Sequence, residues 1–135
     1  MIFNSSFIKL IFLFNYFIAN VEPGKLPLLD FRAPAEPVYY DASAAAITAC
    51  GLIEIASVVD EFEAPMYERA AISLLRATED SCNFDEDVMY LLDNSSGSYD
   101  NKIGIHRPWI FGDYYLVEAL MKLYGNDGKF IIHND

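Results

Sequence analysis

Little in this chain could hold a metal ion or build a disulfide framework. Its two cysteines, Cys50 and Cys82, stand far apart with no Cys-x-x-Cys pair, so neither a zinc site nor a cystine-stapled scaffold is encoded. A small buried thiol is the expectation for Cys50, and pairing with Cys82 is left open. The two histidines, His106 and His133, are isolated as well. They make no metal site, and nothing in the sequence calls for a cofactor. Positive charge is equally scarce: 9 Lys and Arg stand against 20 Asp and Glu, for a formal net charge of −11. No basic patch with interleaved aromatics is present, and the field repels phosphates, which argues against a nucleic-acid partner. The acidic excess is local, since Glu54 to Asp100 holds 12 acidic and 2 basic side chains. That stretch reads as a solvated outer face. A calcium loop at Asp85-Glu86-Asp87 is not supported, because the oxygen-ligand spacing and its central glycine are missing.

A membrane-spanning run is also lacking. The apolar stretch from Phe7 to Ala19 is broken by Lys9 and Asn15 and is too short to cross a bilayer as a helix, so no membrane partner is expected. Its length suits a secretory signal, but no Lys or Arg precedes it and no small-x-small cleavage pattern follows. A buried helix is the preferred reading, with a cytoplasmic location.

What the chain does have is apolar bulk. At 135 residues, 53% hydrophobic and 15% aromatic, it can build a core and is not a disordered tail. No convincing strands and no internal repeat are found; four helices are. The first covers roughly residues 5–19 and stops where Asn20, Pro23, Gly24 and Pro27 punctuate the chain. The prolines at 23, 27, 34 and 37 then hold an extended connection. A second helix, roughly 42–59, opens at Asp41, a good N-cap. It carries Ala45, Ala49, Leu52, Ala56 and Val59 on one face, while Ala42, Ala44, Ala46 and Gly51 strip bulk from the others. Small residues on several sides imply close neighbours all round. A third, about 65–79, starts at Pro65 and is expected to bury Met66, Ala70, Leu74 and Ala77, leaving Glu68, Arg69, Arg76 and Glu79 to water. From Asp80 to Pro108 the pattern dissolves into polar loop, either functional or disordered. The last helix, roughly 113–124, opens after Gly112, closes at Gly125 and aligns Leu116, Ala119, Leu120 and Leu123.

Two of these helix openings carry a resemblance. Asp41-Ala42-Ser43-Ala44-Ala45-Ala46-Ile47-Thr48-Ala49-Cys50-Gly51-Leu52 and Ile110-Phe111-Gly112-Asp113-Tyr114-Tyr115-Leu116-Val117-Glu118-Ala119-Leu120 resemble the C-terminal part of the unsaturated glucuronyl hydrolases, glycoside hydrolase family 88. There the corresponding runs read approximately D-S-S-A-x-A-I-x-A-x-G-L and I-Y-G-D-Y-Y-F-L-E-A-L. Tyr16-Phe17-Ile18-Ala19-Asn20 and Leu29-Asp30-Phe31 are similar to a helix ending and an extended W-D-F segment of that family. The resemblance implies an all-α fold, the C-terminal part of an (α/α)6 barrel of the six-hairpin glycosidase type. Residues 1–135 would form a single partial domain, with helices 42–59 and 113–124 in the inner ring and apolar surface left facing water.

In the resembled family one aspartic acid protonates the C4–C5 double bond of an unsaturated uronic acid and activates water for addition at C5; the resulting hemiketal collapses and releases the neighbouring sugar. A carboxyl that is protonated part of the time is needed. No segment here resembles the family's I-D-x-M-M-N motif, so no catalytic residue is assigned. Asp41, Ser43 and Trp109 are the candidate substrate-binding residues: a carboxylate and a hydroxyl at the mouth of an inner helix, and an indole able to stack on a sugar ring. For Asp41 and Asp113 helix capping is the stronger reading, for Ser43 a capping or back-bonded role, and for Trp109 closure of a hydrophobic lid is as good. His106 and Arg107 read as a surface pair, Asp93 through Ser98 as a plain turn or a pocket rim, and His133 as solvated. The implied partner is an unsaturated uronate-containing oligosaccharide; a non-catalytic helical interaction module derived from such an enzyme is the alternative.

Overall fold

The computed structural model describes residues 5–125. Four helices follow in order, α1 (Ser5–Asn20), α2 (Ala42–Val58), α3 (Ala64–Ala77) and α4 (Ile110–Tyr124), with a short 3-10 turn at Glu79–Ser81 after α3. Among the described residues the only strand-like pairings are isolated antiparallel bridges, so the all-α expectation stands.

Helix α2 is the axis on which the rest is hung. Ala42, Ala45, Ala46, Ala49 and Leu52 are fully buried, and Ile53 and Ile55 nearly so. Side chains this small let neighbouring backbones approach on more than one side. Helices α3 and α4 both pack on α2, and burial of each Leu or Ile there stabilises the fold by about 1.5–3 kcal/mol. On a third side α1 lays the ring of Phe14 over Gly51, so closely that a Cβ at residue 51 would lie 2.2 Å from the ring tip. Asp41 starts α2 as an N-cap, its carboxylate accepting the Ser43 N–H.

Three expectations are corrected. Helix α1 is not buried: Ile11, Phe14, Phe17 and Ile18 pack against the core, yet no residue of α1 is fully buried and Phe12 is 70% exposed. Its apolar residues surround the helix, whereas the described neighbours cover one side only. No helix among the described residues is long and apolar enough to cross a membrane. Helix α3 buries Tyr67, Ala71, Leu74 and Leu75 where Met66, Ala70, Leu74 and Ala77 were expected; Met66 is 45% exposed. The stripe is turned because Tyr67 and Leu75 offer more area to bury than Ala70 and Ala77. Helix α4 begins at Ile110, three residues before the expected start, with Trp109 in an extended N-cap conformation and no side-chain cap.

The stretch from residue 80 to 108 is neither disordered nor plain loop. Antiparallel bridges join Cys82 to Leu92, Ser95 to Arg107 and Ser98 to Ile103, and Leu92 and Ser95 are fully buried. Both cysteines are free. The Cys50 thiol donates to the Tyr115 carbonyl at 3.1 Å, and burial pushes its pKa up to about 11. His133 lies outside the described residues.

Candidate functional site: a polar seam at the mouths of two helices

The N-terminal ends of α2 and α4 meet, and glycine is the reason they can. Gly112, in the first turn of α4, is buried; a Cβ there would lie 3.2 Å from the Ser43 Cβ and 3.5 Å from both Leu92 Cδ2 and Ser95 Oγ. The G-D pair of the α4 motif thus places Asp113 beside the incoming segment 91–96.

Two aspartates grip that segment. Asp113 accepts the Leu91 N–H at 3.1 Å on one carboxylate oxygen and the Leu92 N–H at 2.7 Å on the other. Asp41 Oδ1 accepts the Ser43 N–H at 3.1 Å, the Ser43 hydroxyl at 2.5 Å and the Ser96 N–H at 3.3 Å. Between them the Asn94 carbonyl accepts the Ala42 N–H at 3.0 Å, and Ser95 Oγ accepts the Ser43 N–H at 3.1 Å. The orphan amides of the α2 N-terminus are therefore satisfied by its own cap and by a segment some fifty residues away. Asp41 caps as expected. Asp113 does not: it sits within α4, and its carboxylate serves two amides of another element.

The far side of the seam is pinned by His106. Its Nε2 accepts the Tyr40 N–H at 3.0 Å, which identifies Nε2 as the unprotonated nitrogen in this arrangement. Its ring stacks on Tyr40 with centroids 6.2 Å apart and meets Tyr39 edge-on at 6.0 Å. Ser96 Oγ donates to the Tyr40 carbonyl at 2.7 Å and accepts the His106 N–H at 3.0 Å. His106 also holds a positive φ of 48°, a conformation uncommon for a non-glycine residue. His106 and Arg107 are both exposed, as expected of a surface pair, and His106 in addition pins Tyr40. Arg107 pairs through its backbone with Ser95 in both directions, at 2.7 and 3.1 Å.

Of the three candidate substrate-binding residues, the structure joins Asp41 and Ser43 to each other and sets Trp109 apart. Ser43 is buried, its hydroxyl committed to Asp41. Trp109 lies over the turn 97–104: Cβ atoms at Gly97 and Gly104 would come within 3.3 and 2.4 Å of its ring. It also contacts Phe111 with ring centroids 5.6 Å apart. Its buried indole N–H finds no acceptor among the described residues. The same turn borders an open cleft of about 490 Å³ lined by Tyr16, Asp30, Phe31, Arg32, Tyr99 and Asp100 among others. Sequence reasoning missed this cleft, whose walls come from Tyr16 and residues 29–32 and 97–100; only Tyr16 and Phe31 gave a signal, through the resemblance of their segments to a helix ending and an extended segment of the family. No group of three or more potential metal ligands occurs among the described residues.

An alanine-lined central helix packed against α3 and α4 and touched by α1, with polar connections gathered at the helix mouths, is consistent with layered helix-on-helix packing. No family model matches the chain. Individual proteins do. An unsaturated glucuronyl hydrolase of Bacillus sp. strain GL1 is 40% identical over 115 residues, covering 81% of this chain and 30% of that protein. The crystal structure of the unsaturated glucuronyl hydrolase from Bacillus sp. GL1, described as responsible for the degradation of glycosaminoglycan, superposes with a TM-score of 0.74 at 35% identity, over 89% of this chain and 33% of its own. A variant structure together with dGlcA-Glc-Rha-Glc gives a TM-score of 0.78 at 34% identity, over 89% and 33% of the two chains. The chain is similar to the unsaturated glucuronyl hydrolases over most of its own length and has the fold of part of their (α/α)6 barrel. It spans about a third of the length of the relatives it matches.

Proposed function

We propose that residues 1–135 form a partial domain of an unsaturated glucuronyl hydrolase, the C-terminal portion of its barrel. The enzyme would remove unsaturated glucuronyl groups from glycosaminoglycan-derived disaccharides by hydrating the C4–C5 double bond. The observation that carries this reading is 40% identity to such an enzyme over 115 residues, in a chain whose fold follows the same enzymes. The proton-donating carboxyl would belong to the remaining two thirds of the barrel; Asp41 and Asp113 have their oxygens turned to backbone amides and hydroxyls of their own seam. Asp41 and Ser43 serve the saccharide from behind, by fixing segment 94–96, while Trp109 is the side chain offered to a sugar. The partly exposed ring of Trp109 offers a face for stacking, while its indole N–H lies buried and takes no part.

A chimera tests the proposal. Residues of this chain replace the matching stretch of the Bacillus sp. GL1 enzyme, and loss of the ultraviolet absorbance of an unsaturated glucuronyl disaccharide is followed. Turnover is expected from the chimera and none from the 135-residue chain alone. A folded, soluble chimera without turnover would end the proposal, and turnover by the chain alone would place a proton donor within it. The alternative, a non-catalytic helical module, is favoured by one observation, the apolar faces that α1 and α4 leave uncovered.

A further inference from the structure

The open cleft of about 490 Å³ falls within the roughly 300–1,000 Å³ of small-molecule sites. Its walls come from three parts of the chain: Tyr16 in the last turn of α1, Asp30, Phe31 and Arg32 in the connection into α2, and Tyr99 and Asp100 in the turn on which Trp109 lies. Aromatic rings beside exposed charged groups suit a pyranose, whose C–H faces pack on rings and whose hydroxyls need both donors and acceptors. The rings are braced by neighbours. Phe31 meets Tyr16 edge-on with centroids 6.1 Å apart, and Tyr99 packs on Tyr39 at 5.2 Å while its hydroxyl donates to the Pro37 carbonyl at 3.3 Å. The charged groups, all three exposed, are largely unspent. Asp30 Oδ1 accepts the Arg32 N–H at 2.8 Å, whereas the Asp100 carboxylate and the Arg32 guanidinium have no ion pair or hydrogen bond among the described residues.

The charge of this lining is lopsided: one guanidinium stands against two carboxylates, and no other cation lines the cleft. The wall itself feels that field. Burial first, then Tyr39 and the carboxylates of Asp100, Asp30 and Glu36, push the Tyr99 hydroxyl above its ordinary pKa. We propose that the cleft receives the sugar next to the unsaturated uronate, and that Asp30 and Asp100 make it select an uncharged sugar over a sulfated one. This rests on the activity proposed above and adds the class of saccharide. The hydroxyls of an uncharged sugar donate to the two carboxylates and accept from Arg32. A sulfate ester brings a permanent negative charge and acceptor oxygens without a donor, so the carboxylates lose partners and meet repulsion. Arg32 alone could answer that charge, and Asp30 stands two residues before it. The net charge of −11 over the chain acts in the same direction at longer range. Among solved relatives one stands together with dGlcA-Glc-Rha-Glc and another is described as specific for heparin, so the lining of each chain, and not the shared fold, sets the preference.

The single-chain chimera carries the test. The probes are an unsulfated unsaturated glucuronyl disaccharide and its analogue with one sulfate ester on the neighbouring sugar. The ratio of kcat/KM for the two, followed by loss of ultraviolet absorbance, is compared among variants, since the rest of the barrel contributes equally to each. Asp100→Asn should move the ratio toward the sulfated disaccharide by roughly fivefold, the worth of one like-charge contact at about 4 Å in water. Asp30→Asn should move it the same way, and it keeps the Oδ1 that accepts the Arg32 N–H. Arg32→Gln should move it the opposite way, a reversal that a merely structural role would not produce. Added salt should shrink all three shifts. A ratio unchanged in both Asp100→Asn and Asp30→Asn overturns the inference, as does a shift of the same sign in Arg32→Gln. If the chimera turns over neither disaccharide, the proposed activity has failed, and the same ratios taken as dissociation constants by calorimetry decide the selectivity of the cleft. Binding of neither disaccharide would overturn both.

Discussion

The helical core around α2 and the polar seam of residues 91–107 are held by opposite means. In the core, polar atoms are satisfied within each helix, and specificity comes from shape: alanines where backbones approach, Leu52 and Ile53 where space must be filled. In the seam there is no regular ladder, and individual amides find acceptors one by one, at Asp41, Asp113, Ser95 and Ser96. The core tolerates a change of chemistry provided the volume is kept. The seam tolerates a change of volume better than the loss of an acceptor, because an unpaired buried N–H keeps its full desolvation cost.

Truncation in the core should therefore have the largest effect. Leu52→Ala removes a side chain that is fully buried and should lower stability by about 3–4 kcal/mol through lost burial and a residual cavity. The fall is read from the midpoint of urea unfolding, in the single-chain chimera where the helices have all their neighbours. Asp113→Ala should follow at about 3 kcal/mol, two charge-assisted hydrogen bonds at roughly 1.5 kcal/mol each. Here amide exchange discriminates: the Leu91 and Leu92 amides should lose protection first, while those of α2 keep theirs. Loss of protection spread evenly over the whole domain would mean that the seam is no separate unit.

The two regions also differ in how far the amino-acid sequence disclosed them. The alanine pattern of residues 42–56 announces a helix with close neighbours on several sides, although Ile47 and Val58 stay exposed, and Asp41 announces its start. The polar seam is opaque for a physical reason. Asp113 binds amides 21 and 22 residues away, and a carboxylate in the first turn of a helix looks the same whether it caps its own amides or accepts from another element. Gly112 likewise reads as a helix opener, although its role is to let α4 pass the Ser43 Cβ. His106, isolated in a polar run, gives no sign that Tyr40 lies across from it. In α3 the error was one of weighting: Met66 and Tyr67 are adjacent apolar residues, and only the packed neighbour decides which one turns inward.

The smallest expected effect separates the core from the seam by pH. The Cys50 thiol belongs to the core, held between α2 and the Tyr115 carbonyl of α4, and burial pushes its pKa up to about 11. An exposed cysteine in the unfolded chain ionises near pH 8.5. The neutral thiol is thus favoured by the fold, so its contribution is fully present below about pH 8.5 and is lost as pH rises from there toward 11. Cys82, also raised by burial, adds a loss of the same sign, and lysines and tyrosines titrate in the same window. The contrast must therefore be taken as a difference between variants. Cys50→Ala should flatten the decline of stability between pH 8.5 and 11 relative to the parent chimera, and Cys82→Ala should flatten it less, because Cys82 is only half-buried. Identical pH profiles for the parent and Cys50→Ala would show that the thiolate is accommodated between α2 and α4, and that this contact is looser than the Cys50 hydrogen bond implies.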